Sequence, residues 1–215
     1  MCQFASLVLT KDKCFWSKVH DSHTEIVKEH GLSEDGARGP NVLKVEIVPP
    51  DGDFTRPMAE WAFRVDQDIT PDWWEPVEGE RRAREGLVDL HAYAVHMAGE
   101  TNGISEGRHY VGGSATVSGV WGSATVRDVW GSATVLGVWG SATVRGVRGS
   151  ATVRDVRGSA TVTDMAGESI AVAYRKGAIK KMADQAVLVE RIDGEPVRTW
   201  TAEQFNAAQA EGGTT

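Results

Sequence analysis

From residue 113 onward, apolar and polar positions recur with a nine-residue period. The pentapeptide Gly-Ser-Ala-Thr-Val begins at Gly113, Gly122, Gly131, Gly140, Gly149 and Gly158. Each copy is followed by a variable pair, an apolar residue and a ninth residue. The pairs are Ser118-Gly119, Arg127-Asp128, Leu136-Gly137, Arg145-Gly146, Arg154-Asp155 and Thr163-Asp164, so the second member is always Gly or Asp. The apolar residue is Val in five copies and Met165 in the last, and the ninth residue is Trp121, Trp130, Trp139, Arg148, Arg157 and Ala166 in turn. Such a period marks a repeat architecture in which each unit buries its apolar face against its neighbours.

Within each repeat, β-branched residues alternate with period two. The alternation predicts a strand running from the Val before the ninth residue to the Val that ends the next pentapeptide. Val120, Gly122, Ala124 and Val126 would then face a core, and Trp121, Ser123 and Thr125 would face away from it. The variable pair becomes the corner, because Gly accepts φ > 0 freely and Asp tolerates it. Two architectures fit this register. An antiparallel β-meander would make every corner a two-residue hairpin loop, which wants φ > 0 at both central residues, and Leu136, Thr163 and the arginines resist that. A β-solenoid with two nonapeptides per coil needs one such residue per corner and stacks Val on Val and Thr on Thr in parallel sheets. The two differ observably. In the solenoid Trp121 and Trp139 stack one rung apart with Trp130 on the opposite face, while in the meander all three share a face.

The residues before the repeats read as α+β. Strands are expected at 3–9, 14–17, 42–48 and 61–65, with Pro49-Pro50-Asp51-Gly52 as a turn. A turn at 10–13 between the first two strands would place Leu9 opposite Cys14. Ser22-His23-Thr24-Glu25 has the form of a capping box for a short helix ended by Gly31. A longer helix is expected over 77–97, where Ala83, Leu87, Leu90, Ala94 and Met97 keep one apolar face. After the repeats, residues 169–174 continue the β pattern, 186–192 and 195–199 flank an Asp193-Gly194 hairpin signal, and 201–210 form a closing helix capped by Thr201 with Gln204. The expected layout is an α+β N-terminal domain at 1–99, a connector with the leading strand at 100–112, six nonapeptide β-repeats at 113–166 and a β-hairpin/helix C-terminal cap at 167–215.

Composition sharpens this picture in two places. Eleven of the 24 glycines fall between Gly112 and Gly167, so the excess belongs to the repeats. The net charge of −7 divides as −8 over residues 1–112, +2 over 113–166 and −1 over 167–215. The acidic N-terminal part disfavours nucleic acid and anionic membrane, because neutralising phosphates takes an excess of Lys and Arg. Two cysteines, Cys2 and Cys14, are too few for a disulfide scaffold, which points to a reducing cytosol. No stretch approaches the ~20 apolar residues of a membrane span, and residues 4–9 lack the basic start and length of a signal peptide. The expectation is a soluble, cytoplasmic chain.

The opening Met1-Cys2-Gln3-Phe4, the Phe15-Trp16-Ser17 strand, the Asp21-Ser22-His23 helix start and the trailing G-x-A-x-V repeats resemble a group of uncharacterised phage and prophage proteins. The resemblance covers most of the chain and carries no catalytic motif. It implies a phage-associated accessory protein of variable repeat number, acting in the cytoplasm of a bacterial host cell.

Candidate chemistry is sparse. Removal of Met1 would expose Cys2 as an N-terminal nucleophile with its own α-amine as base, the logic of a hydrolase or transferase; the alternating pattern of residues 3–9, with a small buried residue starting an edge strand, explains the position on its own. His20, His23 and His30, with Asp21 nearby, invite a metal reading. However, His20 precedes the helix, and zinc catalysis needs three converging ligands, so no metal and no cofactor is expected. His91 and His96 are five apart and do not share a helical face. Asp66, Asp68, Asp72 and Glu75 flank Trp73-Trp74 in the manner of a glycosidase cleft, yet Thr70-Pro71-Asp72 is also an ordinary helix opening. No Walker loop, Rossmann fingerprint or G-x-S-x-G elbow occurs.

The outer repeat surface is the better candidate. Trp121, Trp130 and Trp139, followed in the same column by Arg148 and Arg157, form the expected binding residues, because exposed aromatics and arginine mark interfaces. The candidate occupants are another copy of the chain, another protein, the chain's own terminal segments, a sugar, or single-stranded nucleic acid stacked on Trp and Arg, which the small positive charge disfavours. The expected function is a non-enzymatic interaction or structural protein.

Overall fold

Threonine and valine of each pentapeptide stand beside the same two residues eighteen positions on. Thr116 pairs with Thr134 and Thr134 with Thr152 in one sheet, and Thr125 with Thr143 and Thr143 with Thr161 in the other, all in parallel. The computed structural model, which describes residues 4–36 and 39–212, therefore shows a β-solenoid with two nonapeptides per coil. It makes about five turns of parallel strands. The parallel pairings exclude the meander. The chain divides into two compact units, Met1–Ala94 and Val95–Thr215.

The solenoid extends beyond the repeats on both sides. One sheet has six strands, beginning at Val95–His96 and Arg108–Val111 and ending at Ile179–Met182; the other has seven, from Glu100–Thr101 to Val187–Glu190 and the antiparallel Arg198–Thr201. Arg108–Val111 and Ile179–Met182 lack the pentapeptide, and the second was not expected as a strand from the sequence. Each pairs with a repeat strand that already offers a row of backbone donors and acceptors.

The corners differ from expectation. Strands in the six-stranded sheet run Thr-Val-x-x-Val, as in Thr125–Val129 and Thr143–Val147, so the variable pair lies within or beside the strand. The chain turns instead at the pentapeptide's Gly-Ser. Ala124 N–H donates to Trp121 O at 3.2 Å, and Ala133 N–H to Trp130 O at 3.3 Å, each closing a four-residue turn. Gly122 and Gly131 take φ 62° and 68°, and no serine has positive φ. Positive φ at the first central residue alone is the type II′ pattern, which favours glycine there. Gly122 is exposed at this corner rather than facing inward.

Corner glycines also stack. A Cβ on Gly131 would lie 2.8 Å from Gly113 O, and one on Gly149 3.1 Å from Gly131 O. The core between the sheets is made of Ala124, Val126, Val129 and their equivalents, none more than 1% exposed. At the C-terminal end Ala202 and Phe205 of a closing helix, Ala202–Gly212, join the same core, and Asn206 Nδ2 donates to Met182 O at 3.0 Å. This helix covers the terminal rung, as solenoids require. Its capping box forms as the sequence predicts, with Gln204 N–H donating to Thr201 Oγ1 and Thr201 N–H to Gln204 Oε1. The preceding hairpin pairs Glu190 with Arg198, so residues 191–197 form a longer loop around Gly194 than a two-residue turn.

In the first unit Ser6–Leu9 pairs antiparallel with Cys14–Phe15 on one side and Leu43–Val48 on the other, and Ala62–Val65 completes a four-stranded sheet. Leu9 lies opposite Cys14. A short helix α1, His23–Glu29, and a long helix α2, Pro76–Ala94, accompany it. Ser22 sits at the N-cap of α1 with extended backbone but makes no side-chain cap bond, so the expected capping box does not form. α2 buries Ala83, Leu87, Leu90 and Ala94 and ends before Met97, because Val95–His96 enters the solenoid sheet.

Candidate interaction surface

The ninth positions of alternate repeats stack into two columns. Backbone bonds along the first run from Trp139 N–H to Val120 O, from Arg157 N–H to Val138 O and from Tyr174 N–H to Val156 O, which aligns Trp121, Trp139, Arg157 and Tyr174. The second aligns Trp130, Arg148, Ala166 and Ala183. The sequence reading placed both arginines in one column after the tryptophans. Odd and even repeats lie on opposite sheets, so Arg157 follows Trp139 and Arg148 follows Trp130.

The indoles are held by the columns themselves. Trp121 and Trp139 stack with centroids 5.5 Å apart and planes 4° from parallel. Beneath them glycines act as platforms: a Cβ on Gly103, ahead of the repeats, would overlap the Trp121 ring, and one on Gly119 or Gly137 of the variable pairs would overlap that of Trp139. Trp130 lies in the same way over Gly112. Thus Gly119 and Gly137 serve ring packing rather than corner geometry. Where the column changes to arginine, Asp155 replaces glycine and pairs with the Arg157 guanidinium, which also lies 4.3 Å from the Tyr174 ring centroid. Asp155 is the one variable-pair residue with positive φ, at 53°. In the second column Arg148 Nε lies 3.6 Å from Asp128, whose carboxyl is pushed above its ordinary range by burial, with Arg148 and Arg127 pulling it back.

Trp139 is 40% exposed, and Trp121 and Trp130 are half-buried. The first column therefore presents two stacked indoles, the outer one exposed, followed by Arg157 and Tyr174. Beyond Arg148 the second column narrows to alanine, leaving a hollow of about 570 Å³ lined by Arg148, Asp164, Met165, Lys181 and Asp184.

The other candidates separate. Cys2 lies outside the described residues. Cys14 packs its Sγ against Gly86 of α2, and burial pushes its thiol up to about 12. His30 Nε2 bonds to Trp16 O, and His91 stacks edge-on against Trp61, with burial lowering its pKa. His96 and His109 stack at 5.3 Å. Trp73 donates to Asn41 O, and Trp74 stacks on Phe63 and covers Gly79, so these tryptophans pack within the first unit. Of the four nearby carboxylates, Asp66 turns to His23. Among the described residues, no helix is long and apolar enough to cross a membrane.

No protein-family model, curated protein or solved structure matches the chain.

Proposed function

We propose that the chain is a non-enzymatic, phage-type accessory protein, acting in the host cytoplasm, whose solenoid engages another protein through its Trp/Arg columns. A second copy of this chain is the simplest occupant. The observation that carries this reading is Trp139, a 40% exposed indole stacked on Trp121 and seated over Gly119 and Gly137. Large aromatic and arginine side chains contribute most of the energy at protein interfaces. Here they are already ordered, so little side-chain entropy is lost on binding. Charge supports a protein over nucleic acid: the repeats carry +2 and residues 1–112 carry −8, so a second copy supplies the complementary sign.

Sedimentation across a concentration series tests it. The wild-type chain should associate beyond its 23.2 kDa monomer, and the combined Trp121→Ala, Trp130→Ala and Trp139→Ala variant should remain monomeric while keeping its β circular dichroism. Identical sedimentation of the two proteins would remove the basis for the reading.

A further inference from the structure

His23, buried as the first residue of α1, has both ring nitrogens facing oxygen acceptors. Its Nε2 lies 3.0 Å from Val45 O, and its Nδ1 lies 3.1 Å from Asp66 Oδ2. A carbonyl only accepts, so Nε2 carries the hydrogen. In a neutral ring Nδ1 is then a bare lone pair, and it points at a carboxylate that also only accepts. Either a proton on Nδ1 or a metal ion would satisfy both groups.

A third group favours the metal ion. Nδ1, a carboxylate oxygen of Asp66 and one of Glu46 all lie within 4.8 Å of one another. A proton satisfies one close contact, whereas a metal ion takes all three donors at once. Bonds of ~2.1 Å from one ion put neighbouring ligand atoms about 3.0–3.4 Å apart, and the Nδ1 to Oδ2 separation fits this spacing. The Nε2–H bond to a backbone carbonyl is the outer contact that metal-binding histidines use to fix the tautomer and aim the other nitrogen. His23 is 4% exposed while Asp66 is 53% exposed at its side chain, so the site is anchored inside and open outside. That leaves coordination positions for water.

We propose that His23, Glu46 and Asp66 form a binding site for one divalent transition ion. One imidazole with two carboxylates suits Zn²⁺ or Mn²⁺. The residues are 23 and 20 positions apart in sequence and meet because Leu43–Val48 pairs with Ala62–Val65, with Asp66 N–H donating to Lys44 O at 2.8 Å. The site is independent of the solenoid columns.

Isothermal titration of the metal-stripped full chain with Zn²⁺, and separately with Mn²⁺, tests this. One equivalent of either ion should bind, and Asp66→Asn and Glu46→Gln should each weaken binding at least tenfold. Asp66 is exposed and Glu46 only half-buried, and both substitutions keep the side-chain shape, so these variants should keep the wild-type circular dichroism. His20→Gln with His30→Gln should bind as wild type. Absence of saturable binding of both ions would overturn the proposal, as would stoichiometric binding that Asp66→Asn and Glu46→Gln leave unchanged or that the His20/His30 variant abolishes.

Discussion

Trp139 lies flat on Trp121, one coil below it, with 4° between the ring planes. This contact follows from the repeat itself. Ninth residues eighteen positions apart must superpose when two nonapeptides close one coil, and adjacent parallel strands are ~4.8 Å apart. The centroid separation of 5.5 Å lies within the range of offset-stacked aromatic pairs. Offset stacking of this kind is worth about 0.5–1.5 kcal/mol beyond area burial.

The indole needs its glycine platform. Gly137 does not have positive φ, so Gly137→Ala adds no backbone strain, only a methyl group inside the Trp139 ring. Denaturant titration should show a loss of about 1–3 kcal/mol, the usual cost of overpacking. In a Trp139→Ala background the same substitution should be close to neutral. The coupling energy from the double-mutant cycle checks the contact.

Corner glycines should be the least replaceable. Gly131→Ala forces Ala to φ 68° and pushes its Cβ to 2.8 Å from Gly113 O. Backbone cannot give way there. The expected cost is about 2 kcal/mol or more. Gly146→Ala meets only the Asp128 carboxylate and Arg148, both free to move aside, so its midpoint should shift by less than half as much.

Coil-sized changes should be tolerated, and half-coil changes should not. Deleting residues 131–148 removes eighteen residues and returns every later strand to its own sheet. Deleting 140–148 removes nine and exchanges the two sheets below the cut. Ile179–Met182 and Val187–Glu190, which are not interchangeable, would then meet the wrong neighbours. Thermal melts should show one cooperative transition for the first deletion, and a broadened one at lower temperature for the second.

Cys14 should be inert in the folded chain. Burial favours its neutral thiol, and a value near 12 leaves almost no thiolate at pH 8. Iodoacetamide at that pH, followed by peptide mapping, should label Cys14 only after denaturation. The linkage has a sign: the folded state resists ionisation that the unfolded chain undergoes near pH 9, so this contribution to stability is complete below pH 9 and declines as pH rises toward 12.

Much of the solenoid was legible because its period is short and its copies nearly identical. Val120, Ala124 and Val126 face the core as the alternation requires. The corner was misplaced because two glycine positions per repeat could each supply positive φ. A distinguishing signal was present: the pentapeptide Gly is invariant in all six copies, whereas the variable-pair position admits Asp, which a stacked glycine corner would not. The platform role of Gly119 and Gly137 had no such signal, because the ring they carry is set by register between rungs. In the first unit, His23 was visible as a histidine near a helix start. Glu46 and Asp66 were not linked to it, since only the pairing of distant strands brings the three together.

The central claim is that the first column is an association face, and fluorine NMR of 5-fluorotryptophan-labelled protein tests it most directly. The Trp139 resonance is identified by its absence in Trp139→Phe, and Trp61, 1% exposed, serves as the internal reference through Trp61→Phe. With rising protein concentration the Trp139 signal should shift or broaden while that of Trp61 stays fixed. A Trp139 signal as independent of concentration as that of Trp61 would contradict the account.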